Sequence, residues 1–543
     1  MRRAYVCAAT SATPLGSTPV RPSGVRKRLP LLVPVLSLVL VACGPAFMPS
    51  PAEYAERPIS VEAGREYFAV TGGGDPYAAG LAYPVFLGLM AAYPEELGRD
   101  FNEFSAKFGF IPDPDKKGDP LSPPLGFHLT EDPNTQVPWI VGNCQMCHAE
   151  KLRLPAGDLV VTGLGNKSVR PHAYLSAFIR IARDKNLDAE RLEQLAAGRA
   201  DLHHVAFSQR PMLVRKSIVG AAISGLKKVA KIRGNYAHRF GDAMPGRMAT
   251  IESFAAGLSF WLDRPVPTPM PIGWAKVPDV RSFPYRDTFS YDGSGYGSPQ
   301  ALVLEADFLF GVRPEWFASH IHIATSMYMY LRSFERTLHY PGPVDATLAA
   351  RGKEVFVGTC AGCHGQYVDH GGIMRASYKE RVIPKEIVGT DPARVNAVSP
   401  EFVKASNDLT LTRGLTAVKN TGGYVPPVLL DVWARGVLGH AGQWPSVAAM
   451  ALPPAERPQF FVVDPDGMYD LDRLGVRYED VMVEGTRVYR ADPQTGAKTE
   501  RPLRGREYLY RGDVPGYSTA GHTFLSDLAP DERRAVLEYL KGI

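Results

Sequence analysis

Cys144-Gln145-Met146-Cys147-His148 and Cys360-Ala361-Gly362-Cys363-His364 decide how this chain is read. Each is C-x-x-C-H, the attachment pattern of a c-type haem. Two thiols three residues apart can add to the two vinyl groups of one porphyrin. The next residue then lies beneath the iron, and His supplies the proximal nitrogen. A chain of this composition should show the pattern by chance about 0.002 times, so two occurrences point to a shared purpose. Cys144, Cys147, His148, Cys360, Cys363 and His364 are therefore the expected binding residues for two covalent haem c groups. Other uses of C-x-x-C pairs fit less well. A zinc ribbon does not separate its pairs by roughly 200 residues. A redox dithiol or a structural disulfide is chemically open to an exported chain, but neither requires His after both pairs.

The remaining cysteines lie upstream. Among the six, Cys7 and Cys43 precede the paired motifs. Arg26-Lys27-Arg28 stand before an apolar run, Leu29 to Ala42, that is too short to span a bilayer comfortably. This is the layout of an export signal, and Leu40-Val41-Ala42-Cys43-Gly44 resembles a bacterial lipobox, whose Cys is acylated and becomes the mature N-terminus. Residues 1–42 are thus expected to be a lipoprotein signal peptide, and 43–60, rich in Pro and Ala, a tether. The expected location is the periplasmic or cell-surface face of a bacterial membrane, the outer membrane favoured, with Cys43 as the lipid anchor. Haem c is attached outside the cytoplasm, which agrees.

Charge adds an exclusion. The chain has 543 residues and a formal net charge of +5. Six of its basic residues and none of its acidic ones lie in residues 1–42, which leaves 55 basic against 56 acidic residues beyond them. A nucleic-acid partner has no electrostatic support.

Helical spacing marks Tyr77–Ala92, Pro94–Phe108, Lys216–Ile232 and a stretch near His322 to Glu335. The breaker His339-Tyr340-Pro341-Gly342-Pro343 divides an N-terminal haem domain (61–338) from a C-terminal cytochrome c domain (345–543). In the latter, Ala349–Val357 runs into Cys360. Ala529–Lys541 presents Leu537, Tyr539 and Leu540 to pack against it. The expected fold is mainly α: two cytochrome c-like haem domains with long ordered loop insertions and little β.

The whole mature chain resembles the di-haem c-type rubber oxygenases, distant kin of the di-haem bacterial cytochrome c peroxidases. The first half carries GDPYAAGLAYPVFLGLMAAYPEELGRDFNEFSAKFG, LGFHLTEDPNT, VGNCQMCHAE, VTGLGNKS and MPGRMATIESF. The second carries TGGYVPPVLLDVWARGVLGHAGQWPS, PPAERPQFFVV and PGYSTAGHTF. The resemblance implies His522, in the small-residue loop before the last helix, as the distal metal ligand of the C-terminal haem. It places His440 beside that haem, where the family has His-Asn-Gly or His-Asp-Gly and this chain has His440-Ala441-Gly442. Met450 is a weaker candidate ligand.

For the N-terminal haem the resemblance implies an open or weakly ligated iron, with His172, His203 and His204 as available but structural side chains. Glu252 and Asp292 are the carboxylates considered for acid–base assistance. Phe254, Phe260, Trp261, Trp274, Phe283, Phe289 and Tyr291 are the aromatics considered for an apolar pocket. Where the family often has a bridging Trp pair, this chain has Val280 and Arg281. The expected function is an exported di-haem oxidoreductase. The N-terminal haem meets oxygen or peroxide and the C-terminal haem transfers electrons. Its partners would be a redox protein or small-molecule oxidant and an apolar substrate. The alternative is a non-catalytic periplasmic electron-transfer lipoprotein.

Overall fold

The computed structural model describes residues 51–543 apart from 117–118, 204, 238–242, 299–302, 304–315, 317–318, 335–337, 409–415 and 493. Cys43, the signal peptide and His204 lie outside these, as do residues 43–50 of the tether.

The helices form where helical spacing predicts them. Pro76–Ala79, Tyr83–Ala92, Pro94–Leu97 and Phe101–Phe108 make the first group. Asp75 and Asp100 cap two of them by accepting from Tyr77 N and Glu103 N. Phe86, Phe101, Phe104, Phe108 and Phe110 stack into one buried aromatic core. The helix Met212–Ala237 buries Val219, Ala222, Ile223, Leu226 and Ala230 against this core and leaves Lys216, Lys227 and Lys231 exposed. Ile321–Arg332 is helical as well.

In the second half, Ala346–Thr359 runs directly into Cys360 and packs against the terminal helix Pro530–Lys541. The two backbones meet so closely at Gly352 that a Cβ there would lie 1.8 Å from the Ala535 carbonyl oxygen. Phe356 and Tyr539 seal the crossing at 5.3 Å.

The mainly α expectation with little β is not what the chain adopts. Among the described residues, 21 strands form nine small antiparallel sheets. The largest group lies in 460–511, where Phe460–Val463 pairs on one side with Tyr478–Asp480 and on the other with Tyr508–Arg511. A neighbouring meander joins Met482–Glu484, Arg487–Ala491 and Lys498–Glu500. The physical reason is local. These segments are short runs of Val, Tyr and Phe separated by Gly and Asp turns, a composition that favours a half-buried pleated surface over a helix. The chain is an α+β assembly of helices and small antiparallel ladders, and a cytochrome c-like mainly α fold does not describe it.

Residues 49–543 form one compact unit. Elements from the two halves interlock within it. Thr416–Val418 pairs with Gly295–Gly297. Buried Arg247 donates to the Ala441 and Gly442 carbonyls at 3.1 and 3.0 Å and to the Tyr508 hydroxyl at 3.0 Å.

Candidate functional site

Both cysteine motifs form the same local structure. In the first, Cys144–Met146 is a single 3-10 turn, capped by the Asn143 side chain accepting from Gln145 N. The His148 N–H closes it on the Cys144 carbonyl at 2.8 Å. In the second, Ala361–His364 is one helical turn, closed by the His364 N–H on the Cys360 carbonyl at 3.0 Å. Each turn then feeds an antiparallel hairpin: Ala149–Leu154 with Gly157–Thr162, and Gln366–His370 with Ile373–Ser377. Gly365, at φ 78°, makes the second exit, where a Cβ would meet the Ser377 carbonyl at 2.7 Å.

The two histidines are oriented alike. His148 Nδ1 lies 3.1 Å from the Pro278 carbonyl oxygen, and His364 Nδ1 lies 2.8 Å from that of Pro427. A carbonyl only accepts, so Nδ1 carries the proton and Nε2 keeps its lone pair, the arrangement a metal-binding imidazole needs. Burial pushes His148 down to about 4 and also lowers His364, which keeps both rings neutral at neutral pH. Burial pushes the Cys147 thiol up to about 12 and that of Cys360 to about 11. A reactive redox dithiol requires the opposite shift. Among the described residues no three His, Cys, Asp or Glu side chains converge as a bare-ion site, so the pairs do not meet as a zinc ribbon. The turn, the neutral rings and an Nε2 that keeps its lone pair fit a thioether-attached haem at each motif.

The opposite faces of the two histidines differ. His522 stands 6.1 Å from His364 between ring centres, tilted by 58°. A metal–nitrogen bond of about 2.0 Å on each side, plus about 1.1 Å from nitrogen to ring centre, spans roughly 6.2 Å. One iron fits between them. Burial and the neighbouring His364 push His522 down to about 4, and its Nδ1 is buried with no hydrogen-bond partner.

The loop bearing His522 is pinned by Arg457, which donates to the carbonyls of Leu452 (2.9 Å), Thr519 (3.0 Å), Gly521 (2.5 Å) and His522 (3.3 Å). Trp444 Nε1 donates to the Thr519 carbonyl at 3.0 Å. Sequence reading missed Arg457, which caps a loop more than 60 residues further along the chain.

Among the described residues no imidazole faces His148 as His522 faces His364. The ring beside it is Phe68, at 6.4 Å and 43°. Phe68 sits in the π-turn Tyr67–Thr71, which bends its helix and carries the ring to Tyr330 (5.5 Å) and Phe334 (6.4 Å). Cys144 packs against the same cluster. A phenyl ring offers no lone pair to iron. Sequence reading passed over Phe68 and drew its aromatics from further on. Those aromatics do not form one pocket. Phe254 packs with Ile251 and Phe402, Trp274 stacks on Tyr517, and Phe283 and Phe289 join the Phe68 cluster. For Phe260 and Trp261 the side chains lie outside the described set.

The other candidates are placed as follows. His440 is buried, stacks on Tyr424 at 4.7 Å and faces the Gln443 amide at 3.2 Å. Burial pushes it down to about 3. Met450 is half-buried at the edge of the main core. His172 Nε2 accepts from the Ala249 N–H at 2.8 Å, and His203 Nδ1 meets the Tyr83 hydroxyl at 3.0 Å. Glu252 accepts from Gly273 N, while Asp292 accepts from Ser294 N and lies 3.6 Å from Arg394.

A repeat invisible in the residue identities links the two sites. The Pro278 and Pro427 carbonyls accept from His148 and His364 respectively. Counting onward from both, 3-10 turns fall at Phe283–Tyr285 and Val432–Ala434, and β-bridges at Phe289–Gly295 and Leu438–Trp444, all 149 residues apart. Tyr291 and His440 occupy equivalent positions. Between the repeats run two buried ion pairs: Arg435 to Asp279 at 2.9 Å, and Arg281 to Asp431 at 3.2 Å.

No family model matches the chain. Among curated proteins it is similar to the uncharacterized protein y4iJ of Sinorhizobium fredii (strain NBRC 101917 / NGR234). The two are 24% identical over a 260-residue alignment that covers 37% of this chain and 40% of that protein's length.

Proposed function

We propose that this chain is an exported di-haem c-type oxidoreductase, in which the two motifs bind the same cofactor for different tasks. The observation that carries this reading is the contrast between the rings beside the two motif histidines: His522 against His364, Phe68 against His148. A haem supplies a one-electron iron couple and, where a coordination position is open, a place for oxygen or peroxide to bind. The chain's own residues set which of these is used. Cys144, Cys147, Cys360 and Cys363 provide the thioether links. His148 and His364 present Nε2, held by the Pro278 and Pro427 carbonyls. His522 would hold the second face of a haem at the C-terminal site, which would suit that site to electron transfer.

At the N-terminal site Phe68, Tyr330 and Phe334 keep water out and provide an apolar surface, consistent with an apolar substrate. Glu252 accepts from Gly273 N and Asp292 lies 3.6 Å from Arg394. Oxygen as the oxidant agrees with the resemblance to di-haem rubber oxygenases. Export and anchoring through Cys43 belong to the same proposal. Among the described residues no helix is long and apolar enough to cross a membrane.

The test is a pyridine haemochrome assay with protein quantitation, followed by carbon monoxide titration of the reduced protein. Two haems per chain and one carbon monoxide bound are expected. No covalent haem would overturn the assignment. Two haems with no ligand binding would favour the electron-transfer lipoprotein.

A further inference from the structure

Met212–Ala237 is the longest helix among the described residues, and its two sides are unlike. The inner side is the apolar row from Val219 to Ala230 that packs on the aromatic core. With about 3.6 residues per turn, Leu213, Lys216, Gly220, Ser224, Lys227 and Lys231 fall together on the opposite side, and all of them are exposed. The helix holds six basic residues, Arg215, Lys216, Lys227, Lys228, Lys231 and Arg233, and no acidic one. Arg215 turns inward and pairs with Glu193. Among the described residues no carboxylate pairs with Lys216, Lys227 or Lys231.

The outer side is also open and low. A Cβ at Gly220 or Gly225 would meet nothing within 4 Å. At the head of the helix stand Met212, 59% exposed, and Leu213, 75% exposed. Single exposed apolar side chains are ordinary. Two in succession, leading a row of lysines on an otherwise small-residue face, are the composition of a helix that lies in a lipid headgroup layer.

We propose that Met212–Ala237 docks lengthwise on an anionic phospholipid surface, with its outer lysines against the headgroup phosphates and Met212 and Leu213 inserted at the acyl boundary. Charge complementarity selects this occupant. A bilayer offers negative charge along the whole helix, about 39 Å for its 26 residues. It also takes up the two apolar side chains, which an acidic protein surface would leave in a polar contact. Access to such a membrane rests on the export and anchoring proposed above. The helix then fixes which side of the folded body faces the membrane.

The experiment is co-sedimentation of the full-length chain carrying Cys43→Ser, so that no acyl chain contributes, with vesicles of phosphatidylcholine alone and of phosphatidylcholine mixed equally with phosphatidylglycerol. The leader is the same in every arm. Binding is expected to the mixed vesicles over the neutral ones and to weaken with salt. Each lysine near an anionic surface adds roughly fivefold to affinity. Changing Lys216, Lys227, Lys228 and Lys231 together to Gln should therefore weaken binding by more than about tenfold. A loss smaller than about threefold overturns the proposal, as does equal binding to both vesicles, which would leave an acidic protein as the partner of this face. Met212→Ser with Leu213→Ser should weaken binding at least about fivefold, and unchanged binding overturns the insertion. Should the Gln variant fail to fold, Arg at the same four positions keeps the charge. Retained binding then supports the proposal, and lost binding contradicts it. Anchoring is tested separately in cells: Cys43→Ser should leave a salt-washed membrane fraction, and its retention there would sink the anchor and not the helix.

Discussion

The N-terminal and C-terminal motif regions share a turn, a hairpin and a proline carbonyl, yet they are delivered to their sites differently. Cys360 directly follows a continuous helix, Ala346–Thr359, that packs against the terminal helix. Cys144 is reached from the antiparallel pair Phe127–Glu131 and Pro138–Gly142 through the Asn143 cap. On the far side, a pinned loop brings an imidazole to His364, while a π-turn brings a phenyl ring to His148. The lesson is that a five-residue motif can be duplicated, whereas the ring that meets its histidine is supplied by distant segments, residues 519–522 in one case and 67–71 in the other; in the proposed reading those segments separate electron transfer from ligand binding.

The comparison is broken most severely by removing attachment. Cys144→Ser with Cys147→Ser, and separately Cys360→Ser with Cys363→Ser, should each lower covalent haem from two to one per chain by pyridine haemochrome. If either variant still carried two, that motif would not be an attachment site. Next in size is His522→Ala, which should convert one low-spin iron to high spin and raise bound carbon monoxide from one to two per chain. His440→Ala should do neither, because its ring faces Tyr424 and Gln443. The reverse pattern would exchange their roles.

A third variant tests the different delivery of the two motifs. Gly352→Val drives a side chain into the Ala535 carbonyl and should cost about 3 kcal/mol of stability by overpacking. Denaturant unfolding should show it. Loss should fall on the His364 site, with the His148 spectrum retained in any folded fraction, and equal loss at both would contradict the separation.

The smallest effect is pH dependence at the repeat position where His440 replaces Tyr291. Burial lowers His440 to about 3 from an ordinary 6.5. The unfolded chain therefore binds a proton that the folded chain refuses across that window. Stability is full above about pH 6.5 and falls as pH drops towards 3, by a few kcal/mol at most. His440→Gln should flatten this part of the stability–pH curve, and an unchanged slope would show that other groups cause it.

How much was legible depends on range. The motifs, the helices beside them and the crossing of Ala346–Thr359 with Pro530–Lys541 were readable because their signals are local in spacing. His522 was reachable only through the family resemblance, since nothing within its loop says which ring it faces. The ladders of 460–511 were missed because their strands are two to five residues long, too short for periodicity to separate from loop. Phe68, Arg457 and the Asp279–Arg435 pair were hidden for another reason: each acts on a residue at least 65 positions away, and only the fold brings them together. The 149-residue repeat was likewise unreadable, because turn geometry is kept while residue identity is not, as Tyr291 against His440 shows.

The most direct measurement is low-temperature electron paramagnetic resonance of the oxidised, full-length protein, with haem quantified on the same sample. Two haems per chain, one giving a low-spin signal that disappears in His522→Ala and one giving a high-spin signal, is the predicted result. Two low-spin signals, or a low-spin signal unaffected by His522→Ala, would contradict the assignment of different tasks to the two sites.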